Sequence, residues 1–164
     1  MTLLRAIVVS AWLGAALAPP VSRADPTDDD PNAAALDPDY AAGKKAIDEK
    51  RWNDAIRSLA SAALRDTRNA DIQNYLGYAQ RHAGNMSLAF KHYERALELN
   101  PRHRGAHEYA GEASLMVGDL KRAQAHLKAL EGICTLPCEE KEDLERSIAA
   151  YQRKKEPAAV KAAK

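Results

Sequence analysis

Small and apolar positions return along this chain at a fixed interval of 34 residues. Gly43, Gly77 and Gly111 form one column, and Ala55, Ala89 and Ala123 form another. Neighbouring columns agree in kind: Trp52, Met86 and Leu120; Leu59, Tyr93 and Leu127; Ala62, Ala96 and Leu130. Within each interval the apolar residues recur at three- and four-residue steps, which is the period of a helix with one buried face. The pattern predicts three helix pairs, at about 38–49 and 52–66, 70–83 and 86–99, and 104–117 and 120–131. Gly84-Asn85, Gly118-Asp119 and Asn100-Pro101 punctuate the breaks. Glycine and asparagine suit the left-handed position past a helix end, and proline follows a helix it cannot continue. Lys50-Arg51 stands at the first turn where the other two have Gly. A seventh helix is expected at about 137–154, with Leu144, Ile148 and Tyr151 as its apolar stripe.

A fixed period of this size describes a stacked array, in which each unit covers the apolar face of the one before it. The second unit carries the fullest motif: Leu76-Gly77, Gly84-Asn85, Ala89, Tyr93, Ala96-Leu97-Glu98-Leu99 and Asn100-Pro101. The third has Gly111, Gly118-Asp119, Leu120, Ala123, Leu127 and Leu130, and the first has Gly43, Trp52, Ala55, Leu59 and Ala62. This series resembles the tetratricopeptide repeat. The resemblance implies an all-α fold, a right-handed α-solenoid of three helix-turn-helix units (36–69, 70–103, 104–135) closed by a capping helix at 136–154. Departures from the family pattern are Asp39, Gln73 and His107 in its first, usually aromatic, column, and Thr67 and Thr135 where Pro101 stands in the second unit.

Charge changes the picture mainly at the two ends. Met1–Arg5 is short and positive, Ala6–Ser22 is uncharged, and Ser22-Arg23-Ala24 places small residues before Asp25. That is the layout of a cleaved secretory leader over residues 1–24. Pro19 and Pro20 interrupt the apolar run, which falls short of the roughly 20 residues a membrane span needs. The expectation is therefore an exported, periplasmic protein with no stable membrane insertion. Residues 25–35 are acidic and 155–164 basic, and both are expected to be disordered tails. A net charge of +1 for the whole chain gives no reason to expect a nucleic acid partner.

Candidate chemistry is sparse. No nucleophile with a visible activator, phosphate loop or haem motif occurs, so neither catalysis nor a cofactor is expected. Cys134 and Cys138 are the only cysteines. Export would place them where close pairs oxidise, as a disulfide clip between the third unit and the last helix. A redox-active pair, with Cys138 near a helix start, and a copper- or zinc-binding pair remain the alternatives. His103 and His107 are four apart, but His103 falls in a turn, and no metal site is expected.

The remaining candidate is a groove. In the resembled family the first helix of each unit lines a concave face. That carries groove roles to Tyr40, Lys44, Ile47 and Asp48, to Asn74, Tyr78, Arg81 and His82, and to Glu108, Glu112, Leu115 and Met116. Tyrosine and arginine dominate binding energy at interfaces. Tyr40 stands where family members that grip a chain-end carboxylate have a lysine. The sequence thus describes an adaptor or scaffold that binds a protein or peptide partner; the alternative is a thiol-redox or metal-binding accessory protein using Cys134 and Cys138. It leaves self-association open.

Overall fold

The computed structural model describes residues 37–162. These form seven α-helices: α1 Pro38–Asp48, α2 Trp52–Arg65, α3 Ala70–His82, α4 Met86–Leu99, α5 Arg104–Met116, α6 Leu120–Ile133 and α7 Glu139–Ala162. No strand occurs among the described residues. The leader and the acidic segment read from the sequence lie outside them. Helices pair as α1 with α2, α3 with α4 and α5 with α6, and each second helix packs on the first helix of the next unit. The result is the all-α solenoid that the 34-residue period implies.

Local chemistry fixes where each element begins and turns. Asp37 caps α1 by accepting from the Asp39 and Tyr40 amides at 2.8 and 3.1 Å, with Pro38 preset at the first helical position. Asn69 caps α3 through the Ile72 amide at 3.1 Å, and Asp119 caps α6 through the Arg122 amide at 2.9 Å. The three hairpin turns are built alike. Lys50, Gly84 and Gly118 have φ of 57°, 85° and 84°. In each, the next residue's amide reaches back five positions: Arg51 to Ala46, Asn85 to Gln80 and Asp119 to Ser114, all at 2.8 Å. This is the Schellman closure, and it needs a left-handed residue at its hinge. Lys50 supplies it against the steric preference of a side chain.

The alanine column is fully buried, as are Leu59, Tyr93, Ala62, Ala96 and Leu130. The glycine column has a specific cause. A Cβ on Gly43 would lie 2.6 Å from Leu59 Cγ, and one on Gly77 would lie 2.5 Å from Tyr93 Cε1. In the first two units, then, the large residue of the same unit's second helix lies over the glycine. The third unit departs from this. Over Gly111 the space is taken by Leu144 of α7, at 2.6 Å, rather than by Leu127. Leu127 is only half-buried, while Leu144 is fully buried.

The last helix packs on α5 and, second, on α6. Leu144 and Ile148 enter the core, and the Tyr151 hydroxyl donates to the Gly118 carbonyl at 3.3 Å. Glu139, Glu140 and Glu142 fill its first turn, where the helix dipole favours negative charge. α7 continues to Ala162, past the end expected at 154 and through most of the segment assigned to a basic tail. Alanine and lysine are strong helix formers, and their propensity carries the helix on beyond the packed stripe.

Candidate functional site

The first helices of the units lie side by side, α1 against α3 and α3 against α5, with α7 continuing the row against α5. Their shared face carries the aromatic side chains. Lys44 donates to the Tyr75 hydroxyl at 2.9 Å, and its ammonium lies 4.4 Å from that ring's centre. The Tyr78 ring sits 4.9 Å from Tyr109 and 4.4 Å from His82, and His82 stacks on Trp52 at 4.5 Å. Tyrosines 75, 78 and 109 are each half-buried, so each presents part of a ring outward.

Arg81 lies beneath this row. It is 7% exposed, and its guanidinium is 5.2 Å from the Tyr78 ring centre and 5.7 Å from that of Tyr109. It donates to Glu112 at 2.8 Å, and Ser147 of α7 donates to the other Glu112 oxygen at 3.3 Å. The Arg81–Glu112 pair therefore links α3 to α5, and Ser147 links α7 to both. A recess of about 500 Å³ opens beside it, walled by Leu115, Met116, Ala150 and Tyr151, with His82 at its rim. Most of its wall is apolar. A second recess, about 470 Å³, lies at the Cys134–Cys138 loop between Arg102 and Arg104, and its wall is more polar.

Electrostatics on this face is uneven. Glu108 is driven up to about 7 by burial, with Glu112 and Glu140 adding repulsion. Asp71 is held low by the hydrogen bond with His103, whose Nε2 lies 2.9 Å away. His103 Nδ1 accepts from the Ala106 amide at 3.1 Å, making this ring the N-cap of α5. Both nitrogens of His103 are thus engaged, and it forms no pair with His107.

The structure corrects three of the residues assigned to the groove. Tyr40 is 9% exposed and belongs to the first core cluster, and Asn74 is 3% exposed. Both lie one helical turn before their unit's glycine and pack toward the first helix of the next unit: the Tyr40 ring meets Tyr75 of α3 at 6.0 Å, and Asn74 lies against Gly105 of α5. Arg81, one turn after Gly77, is buried as the ion pair described rather than free for a ligand. Lys44, Tyr78, Glu108 and Glu112 are half-buried on the shared face, and His82 is exposed. Tyr75 and Tyr109 were missed. They stand 34 residues apart and follow Asn74 and Glu108 by one position, so the repeat itself marks them.

The Cys134 and Cys138 sulfurs lie at bonding distance, with their Cα atoms 6.1 Å apart. Cys134 ends α6 and Cys138 immediately precedes α7. Among the described residues no helix is long and apolar enough to cross a membrane.

Comparison with known proteins agrees with this architecture. Residues 70–103, the second unit, match the family model of the tetratricopeptide repeat. The described residues as a whole have the fold of tetratricopeptide repeat proteins. The type III secretion translocator chaperone SycD of Yersinia enterocolitica is similar, at 21% identity and a TM-score of 0.66 over 76% of this chain and 88% of that one. SycD in complex with a peptide of the translocator YopD gives 19% identity and 0.65, over 74% and 95%. The Sgt2 repeat domain from Aspergillus fumigatus gives 21% and 0.64, over 79% and 82%. No curated protein matches the sequence.

Proposed function

We propose that this protein is an exported, periplasmic adaptor that holds a peptide segment of a partner protein along the inner face of its solenoid. The observation that carries the reading is the row Tyr75, Tyr78 and Tyr109 running into the apolar recess beside Arg81–Glu112. Half-buried rings on a stiff helical frame lose little freedom when a peptide covers them. The complex of the similar SycD with a YopD peptide supports a peptide as ligand. Export is supported by the residue pattern of 1–24. The work on this reading is non-covalent.

Cys134 and Cys138 are read as a clip rather than a reactive pair. Cys138 is 7% exposed and is held where α6 hands over to α7, a position that suits mechanical linkage better than thiol exchange.

The test is site-specific photocrosslinking in the native envelope from position 116, where the side chain is 63% exposed. A discrete partner adduct is expected, reduced about tenfold by Tyr78→Ala with Tyr109→Ala, a loss of roughly 1.4 kcal/mol. Undiminished capture by a double variant that stays folded removes the groove from the mechanism. Mature protein found only in the cytoplasm removes the export.

A further inference from the structure

We infer that His107 and His126 form a binding site for a single late first-row divalent ion, copper(II) foremost. Their Nδ1 atoms face each other across α5 and α6 at 3.1 Å, with the ring centres 5.4 Å apart. His107 Nε2–H donates to the Pro101 carbonyl at 3.0 Å. That bond fixes the tautomer: His107 Nδ1 carries no proton and presents its lone pair to His126. Metal-binding histidines ordinarily have such an outer anchor on the second nitrogen. The separation also fits. Two nitrogens at about 2.0–2.1 Å from one ion stand roughly 3.3 Å apart in a tetrahedral site and about 2.9 Å apart in a square one. The observed spacing lies between the two.

In the metal-free molecule His126 Nδ1–H donates to His107 Nδ1. On binding, the His126 proton moves to its Nε2, both Nδ1 lone pairs turn to the ion, and no net proton is released. Burial keeps both rings below the usual histidine range, so they are neutral near pH 7. The ionisable groups nearby are His103, whose Nε2 is engaged with Asp71 at 2.9 Å, and Arg122, whose charge is met by Glu94 at 2.8 Å. Two side chains supply only part of a coordination shell, and water completes it. The order of affinities for nitrogen sites then favours copper(II) over nickel and zinc.

The second unit shows what the same columns do without a second imidazole. There Gln73 stands for His107 and His92 for His126, and His92 Nδ1–H donates to Gln73 Oε1 at 2.9 Å. The variant His107→Gln therefore rebuilds a pairing the fold already tolerates, while removing one ligand. Calorimetric titration of the purified protein with copper(II) should show one saturable equivalent, weakened more than about tenfold in His107→Gln and in His126→Gln, since a lost ligand should cost at least as much as a lost outer anchor. Zinc titration followed by nitrogen-15 NMR of the histidines should move the Nδ1 signals of these two rings together, a readout that needs no variant. Uptake equal in wild type and His107→Gln, no saturable uptake, or zinc shifts confined to other histidines would overturn the site.

Discussion

At the scale of single residues, one half-buried acid and one half-buried base oppose each other in their effect on stability. Burial beside His107 and Arg122 lowers His126 to about 4, so the folded state prefers the neutral ring. Its contribution is complete above the ordinary value near 6.5 and is lost as pH falls toward 4. Glu108, facing Glu112, Glu139, Glu140 and Arg81, is raised to about 7, so the folded state prefers its protonated form. That contribution is present below the ordinary 4.5 and is lost as pH rises through 7. Relative to wild type, Glu108→Gln should climb more steeply in stability from about pH 4.5 to 7, and His126→Gln should climb less over pH 4 to 6.5. Urea unfolding midpoints with a chelator present report this, and three superimposable profiles would refute both assignments. The residue scale is also where the sequence was least legible. The family resemblance was enough to assign Tyr78 to the face, but the burial of Arg81 depends on Glu112, 31 positions away, and nothing local announces that pair.

At the scale of elements, the repeat interval was an almost complete guide. It placed six helices and their turns to within a residue or two, because each boundary is set by local chemistry: a side-chain cap at four of the six starts and a left-handed residue at each hairpin hinge. It did not reveal which side chain lies over each glycine, since that depends on how helices cross. Lys50 is the weak point it did mark. In the left-handed region a side chain costs about 1–2 kcal/mol, and glycine returns part of that through its greater freedom when unfolded. Lys50→Gly should therefore stabilise the protein by about 0.5–1 kcal/mol. Thermal or urea unfolding decides the point, and a neutral or destabilised variant would mean that this turn is not strained.

At the scale of the whole molecule, the covalent link between α6 and α7 closes only a short loop. The chain-entropy relation then assigns it about 2 kcal/mol. Cys134→Ser with Cys138→Ser should lose about that much stability. The loss should fall on one end: hydrogen exchange should quicken in α7 while α1–α4 keep their protection, because the solenoid is coupled through neighbours. Uniform quickening throughout would show instead that the array opens as one body.

Leu144 over Gly111 has a consequence for how such an array could grow. A duplicated 34-residue module spliced in after Ile133 would find its seat already taken by α7, and would have to evict a fully buried leucine to dock. One spliced in ahead of Arg104 would meet the same packing of a second helix on the next first helix that the other junction makes, so the inserted unit would reproduce the contact it interrupts. Lengthening of this chain, by evolution or in the laboratory, should therefore succeed from the middle and fail at the end.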